Sequence, residues 1–250
     1  MALTLVSLNI ERSKHLDLVE QFLMKEKPDV TCVQELMEND IERISHALPN
    51  ARSFYVPMAM HSDQAVYPIG IGVFSSLPMR RTSAHYYVGE ASTLRDIRQA
   101  ESATYNNFNR MLAVADIEND GETYQIATTH FTWTPDGTPD EFQRRDMKGL
   151  INVLGTLGEF VLCGDFNAPR GGEMFAELAS RYKDNIPPEY KTSLNASFHR
   201  SGKTRAHELV DKMVDGIFST PTYDVSGVRL VSGVSDHCAI VATVSTGRSR

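Results

Sequence analysis

Two apolar-rich runs, 109–118 and 122–130, are separated by Asn119-Asp120-Gly121, and this break narrows the fold more than any other feature of the chain. Asp-Gly between two strand patterns is the signal of a tight hairpin, because both central residues must take positive φ and few residue types tolerate it. Further strand patterns fall at Leu3–Asn9, Asp29–Glu35, 52–57, 69–75, 82–88, 159–163, 213–218, 223–231 and 238–244. Helical spacing is rarer: Leu16, Val19, Phe22 and Leu23 with Pro28 as a stop, then Ile41, Ile44 and Leu48, then 139–154 and 173–181. Residues 183–208 are polar and irregular. Many strands joined by hairpins, with few helices between them, predict mixed, largely antiparallel sheets covered by helices. A doubly wound parallel sheet would need a crossover helix at almost every step.

No linker-like segment breaks the 250-residue chain, so one domain over 1–245 with a frayed tail at 246–250 is expected. A hydrophobic fraction of 41% allows a sizeable core. The formal net charge of -7 argues against a uniformly basic nucleic-acid surface, but not against a local basic groove or an acidic centre that recruits its own cation. Cys32, Cys163 and Cys238 all sit in apolar runs, which reads as reduced core thiols with no disulfide framework and no zinc spacing. The N-terminal segment lacks a basic leader pattern and no apolar run is long enough to span a bilayer. A cytoplasmic monomer is the default expectation.

Polar groups gather where strand patterns end. Ser7-Leu8-Asn9 closes the first strand, Gln34-Glu35 the second and Thr129-His130 the strand at 122–130. The run Phe160-Val161-Leu162-Cys163 gives way to Gly164-Asp165-Phe166-Asn167, where strand alternation would let Asp165 and Asn167 point the same way. Asp215-Gly216-Ile217-Phe218 and Ser235-Asp236-His237 follow. Each has an ordinary reading alone: Asn9 and Asp165 as turn or cap residues, Glu35 as a solvated strand terminus, His130 as an edge histidine. Together they suggest chemistry. Asp236 beside His237 would favour a cationic imidazole facing a phosphoryl oxygen. Glu35 with Asn9 offers the oxygen ligands that Mg²⁺ prefers, and an ionised Asp165 is acceptor-only and able to take a proton from water.

In this order the set resembles the endonuclease/exonuclease/phosphatase superfamily, the DNase-I-like fold, over essentially the whole chain. The resemblance implies a four-layer α/β/β/α sandwich and metal-dependent hydrolysis of a phosphate ester with Mg²⁺ or Mn²⁺. It also implies roles. Glu35 would be the principal metal ligand, supported by Asn9, with Asp236 close to the metal. Asp165 would position or deprotonate the attacking water, and Asn167 would hold that water or a phosphate oxygen. His237 would bind the scissile phosphate, Asp215 would orient His237, and His130 would contact the phosphate and stabilise the leaving oxygen. A histidine at position 130 departs from the abasic endonucleases, which place a tyrosine there, and is more like the deadenylase, sphingomyelinase and tyrosyl-DNA phosphodiesterase branches.

The substrate is less legible. Arg110 reads either as a phosphate contact or as the cap of a solvated strand end. Trp133, the single tryptophan, reads as a stacking platform or as a pin for the Pro/Gly-rich loop 131–140. Residues 192–208, with Asn195, His199, Arg200, Lys203, Arg205 and His207, read as a substrate wall or a solvated loop. Tyr86, Tyr87 and Tyr105 read as sheet aromatics before stacking groups. The acidic balance favours a phosphodiester in a small molecule, a single-stranded nucleic acid or a nucleic-acid adduct. A phosphomonoesterase or sphingomyelinase-like activity and a non-catalytic phosphate binder are the alternatives.

Overall fold

A computed structural model gives the architecture and describes residues 2–62, 66–96 and 108–247. The strands are β1 (Leu3–Asn9), β2 (Val30–Met37), β3 (Arg52–Ser62), β4 (Val66–Ser75), β5 (Met79–Val88), β6 (Arg110–Asn119), β7 (Glu122–His130), β8 (Val161–Asp165), β9 (Lys183–Asp184), β10 (Asp215–Ser219), β11 (Tyr223–Val231) and β12 (Ala239–Thr246). The helices are α1 (Leu16–Glu26), α2 (Ile41–His46), α3 (Glu141–Leu154), α4 (Glu173–Ala179) and the single turn α5 (Gly202–Arg205). The strands form two six-stranded sheets, ordered β11-β12-β1-β2-β4-β3 and β5-β6-β7-β8-β10-β9. Of the ladders between these strands, β1–β2 and β7–β8 are parallel and the others antiparallel. The hairpin forms as expected: Asn119 pairs with Glu122, and Asp120 and Gly121 take φ of 49° and 79°.

Three apolar clusters define the four layers. Leu5, Cys32, Ile71, Ala113, Ile126, Cys163 and Ile240 belong to the core between the sheets. On the outer face of the first sheet, Val6, Leu8 and Val33 meet Leu16, Val19 and Leu23 of α1 and Ile44 of α2. On the outer face of the second, Leu112, Ala127 and Leu162 meet Met147, Leu150 and Leu154 of α3 and Met174 and Leu178 of α4. The helix signals match: α1 stops at Lys27, which takes a left-handed φ of 49° just before Pro28, and α3 starts where Asp140 accepts the Gln143 N–H at 2.7 Å.

Two expectations shift at the edges. β8 runs to Asp165, two residues beyond the apolar run, because its backbone stays paired with β7 and β10. Thr246 lies within β12, paired with Tyr223, so the ladder enters the stretch expected to fray; residues 248–250, like Tyr105, lie outside the described residues.

Candidate active site

The inner face of the sandwich changes character along its length. Strand side chains alternate between faces, so β1 sends Leu3, Leu5, Ser7 and Asn9 inward, β7 sends Tyr124, Ile126, Thr128 and His130, and β8 sends Val161, Cys163 and Asp165. Each row begins apolar and ends polar, and all the polar ends lie at the same end of the sheets. Register does the rest. Asp165 sits opposite His130 on one side and Asp215 on the other, and Asn9 sits opposite Gln34. Gln34 ties the sheets together beneath the site, donating from Nε2 to Thr128 Oγ1 at 2.9 Å.

Glu35 reaches this face only through a break in its strand. Val33 and Leu36 both contact the helix side, and the β2–β4 register slips between them, which marks a bulge. Glu35 takes φ of 52° there, so its carboxylate turns back to the inner face that a regular strand would deny it. Left-handed φ also occurs at Glu11 (48°), Arg12 (62°) and Asn167 (47°), all lining the same cavity. Backbone strain concentrated around one cavity is the signature of positioned function.

Asp165 is the centre. Its Oδ2 lies 3.1 Å from Asn9 Nδ2, 3.6 Å from His130 Nε2 and 3.9 Å from His237 Nε2. Burial and the negative charge of Asp215 push its pKa up to about 7, against the opposing pull of His237. His237 donates from Nδ1 to Asp215 Oδ2 at 2.7 Å. Burial opposes its charge, yet Asp215 and Asp165 outweigh burial and hold it well above the usual imidazole range. His130 goes the other way: burial, then the cations Arg110 and His237, hold it well below that range. The floor of the site therefore carries one cationic and one neutral imidazole on either side of a carboxylate.

Three site residues sit differently from the reading of the local pattern. Asp236 is not the hydrogen-bonded partner of His237: the paired oxygen comes from Asp215 of the second sheet, as the resemblance implied, and Asp236 adds only a weaker charge effect. Asn9 was expected to ligate a metal, but its Oδ1 accepts the Glu11 N–H at 3.0 Å, and its Nδ2 donates to Glu35 Oε1 at 3.4 Å and to Asp165. The Glu11 N–H fixes that amide orientation and leaves Oδ1 a second lone pair, while Nδ2 holds the two carboxylates in place. Asp165 and Asn167 do not share a face by strand alternation, since the strand ends at Asp165. Asn167 is instead placed by a turn in which its N–H donates to Asp165 Oδ1 at 2.8 Å and its Nδ2 to the Phe131 carbonyl at 3.0 Å.

Glu35, His130, Asp165, Asn167, Asp236 and His237 line a cleft of about 890 Å³. Arg110 does not cap a solvated strand end. It is 3% exposed, donates from Nη1 to the His130 carbonyl at 2.9 Å and lines the cleft. Trp133 is not a buried pin, being 38% exposed on the cleft wall. The polar stretch after residue 192 supplies the facing wall through Leu194, His199, Arg200 and Arg205. Arg12 and His61, 2.9 Å apart from Nη1 to Nε2, complete the side next to Glu35 and were not foreseen. The run Ile10-Glu11-Arg12 directly after Asn9 held the only clue, since it leaves the strand where the inner row turns polar.

The donor set suits a hard cation on the Glu35 side. Glu35 and Asp236 face each other across the cleft, and burial followed by the charge of Asp236 raises the Glu35 pKa. Two carboxylates that repel across a partly closed space are relieved by a divalent ion with oxygen preference. Asp165, Asp215 and His237 also place ligand atoms within 4.8 Å of one another. A metal there would have to displace the proton that His237 shares with Asp215.

The chain belongs to the Endonuclease/Exonuclease/phosphatase family, whose description matches residues 6–237. Members of that family are generally phosphoric ester hydrolases and usually use a divalent metal. No curated protein matches the sequence. Among solved structures, a family protein from Bacteroides vulgatus superposes with a TM-score of 0.75 at 16% identity, over 98% of this chain and 99% of that one. The mannosyl-6-phosphatase of Bacteroides thetaiotaomicron gives 0.67 at 13% identity, over 97% and 99%. The human Nocturnin catalytic domain, solved with a bound sulfate anion, gives 0.67 at 16%, over 98% and 94%. At these identities the likeness is one of fold. Among the described residues no helix is long and apolar enough to cross a membrane.

Proposed function

We propose that this member of the endonuclease/exonuclease/phosphatase family is a hydrolase of phosphodiesters that depends on Mg²⁺ or Mn²⁺. The observation that carries the reading is the position of Asp165, a carboxylate with a pKa near neutrality between a cationic and a neutral imidazole on the floor of an open cleft. Glu35 and Asp236 would hold the cation. Once bound, it would supply Lewis-acid stabilisation of charge on the phosphoryl oxygens.

The side chains divide the remaining work. Asp165 accepts a proton from the attacking water, with Asn167 and Asn9 fixing its orientation. A base in this position contributes about 10²–10⁴-fold. His237, kept cationic by Asp215, meets the non-bridging oxygens, where negative charge grows in the transition state. His130 Nε2 faces the same point as a neutral donor for the departing oxygen, and Arg110 braces His130 through its carbonyl while presenting positive charge at the cleft floor. A cleft of about 890 Å³ far exceeds one phosphate and leaves room for substituents on both sides of phosphorus, which favours a diester. Three buried free thiols suit a reducing cytoplasm. A phosphomonoesterase is the second reading, favoured by the fold shared with the mannosyl-6-phosphatase.

Hydrolysis of bis(p-nitrophenyl) phosphate and of its mono-ester, each with Mg²⁺, Mn²⁺ or chelator, tests this. Faster metal-dependent turnover of the diester is expected, with Asp165→Asn lowering it at least 10²-fold in a protein that melts normally. Near-normal turnover in folded Asp165→Asn would refute the assignment, and preference for the mono-ester would install the second reading.

A further inference from the structure

Trp133 projects from an otherwise rigid loop. Its neighbours Thr132 and Thr134 are buried. Thr132 donates from Oγ1 to Asp146 at 2.7 Å, and its carbonyl accepts from Gln143 Nε2 at 2.7 Å. Farther along, the Asp136 carbonyl accepts from Lys212 Nζ, which joins this loop to the opposite wall. A large aromatic side chain that is 38% exposed on so well-anchored a backbone is held out into the cleft by its surroundings. Burial of the ring would have been the favourable course had the fold alone set its position.

The facing wall is equally fixed. The Asn195 N–H donates to the Asp236 carbonyl and the Cys238 N–H to the Ser193 carbonyl, both at 2.7 Å, so segment 193–200 is bonded to the stretch that carries His237. From that segment Arg200 places its guanidinium carbon 6.0 Å from the centre of the Trp133 ring. One wall is therefore tied to His130, three residues before Trp133, and the other to His237. Three residues span at most roughly 11 Å, so a group lodged against Trp133 stays close to His130. A flat ring between two stacked groups needs about 7 Å, twice a carbon contact of roughly 3.5 Å, and the exposed Arg200 side chain can move aside to admit it.

We infer that Trp133 and Arg200 form a slot for a planar aromatic ring carried on the substrate's phosphate, a nucleobase or a phenyl ring, and that this slot sets substrate preference. The inference rests on the reading of the cleft as a phosphoester site. An indole face with a guanidinium over it attracts a ring of either kind with little regard to its hydrogen-bonding edge. An aliphatic or sugar phosphate gains nothing from it.

A single tryptophan makes the slot directly observable. With Mg²⁺ present, adenosine 5′-phosphate and phenyl phosphate are expected to quench the fluorescence of the wild-type protein saturably, and ribose 5-phosphate is not. Quenching by only one of the two aromatic ligands identifies which ring the slot takes. Trp133→Leu, checked for folding by circular dichroism, should raise the inhibition constant of the aromatic ligand at least fivefold against bis(p-nitrophenyl) phosphate hydrolysis. Equal fluorescence responses to all three ligands, or none to any, would overturn the slot. If Trp133→Leu does not fold, the wild-type titrations still decide. Hydrolysis of bis(p-nitrophenyl) phosphate that persists without any ring discrimination removes the slot and leaves the proposed activity standing, whereas absence of metal-dependent hydrolysis removes the activity itself.

Discussion

Gly164→Ala probes how the fold delivers the candidate base. Gly164 has φ of 147°, and a Cβ built there would lie 2.0 Å from the Thr129 carbonyl oxygen, an atom of the neighbouring β7 backbone. Ordinary contact begins at 3.4 Å, so the two strands would have to part by roughly 1.4 Å where Thr129 and Gly164 are in register. Strained backbone of this kind costs about 1–3 kcal/mol. A weakened ladder bond adds about 0.5–1.5 kcal/mol. At this chain length each kcal/mol is about 2–4 °C, so the melting temperature should fall by about 3–18 °C. Asp165 is the next residue, and a displacement of about 1 Å at a reacting group costs on the order of 10²-fold in rate. Calorimetric melting, together with bis(p-nitrophenyl) phosphate turnover below the melting range, measures both effects. Gly121→Asn is the control: φ is positive there too, at 79°, but nothing lies within 4 Å, and asparagine accepts that conformation in a hairpin. It should shift melting by under about 3 °C. A Gly164→Ala protein that melts within about 2 °C of wild type and turns over within twofold would refute the close-approach reasoning.

Three more perturbations separate the roles of the charged groups. Asp215→Asn removes the charge that holds the His237 proton, so burial should bring the ring pKa down, and turnover should drop by about 10²–10⁴-fold; an unshifted His237 resonance in an NMR titration would contradict it. Glu35→Gln relieves repulsion with Asp236, so the metal-free protein at pH 7 should melt about 1–4 °C higher while stabilisation by added Mg²⁺ shrinks; lower melting with undiminished Mg²⁺ stabilisation would count against Glu35 as a ligand. His130 has a depressed folded pKa, so as pH falls through about 6.5 the unfolded chain takes up the proton first and stability is lost toward the lower folded value. His130→Asn should flatten that acid limb in urea titrations between about pH 7 and 5, and an unchanged limb would show that the ring titrates normally.

The layout explains why some of the site was readable in sequence and some was not. Strand alternation is a local rule, so Asn9, His130 and Asp165 could be assigned to strand ends from the apolar residues before them, and parallel or hairpin connections brought those ends together. Where the chain breaks the rule, sequence gives no warning. The bulge that turns Glu35 inward depends on the β2–β4 register, and the left-handed φ of Asn167 depends on a bond back to Asp165. Pairing across the two sheets is not a matter of local pattern either: the residues alone set Asp236 beside His237, and only the family resemblance points to Asp215, 22 residues away, which holds the imidazole. The polar stretch after residue 192 has the composition of a solvated loop and becomes a wall only because its backbone bonds to Asp236 and Cys238. Local pattern thus locates the polar end of the sandwich, while long-range bonds decide which face each charge presents. Substrate choice should therefore follow the 131–137 and 192–212 walls, and the chemistry the inner rows. Exchanging Arg200 is then expected to change which ester is hydrolysed fastest before it changes how the metal is used, and a loss of Mg²⁺ dependence in Arg200→Ala would break that division.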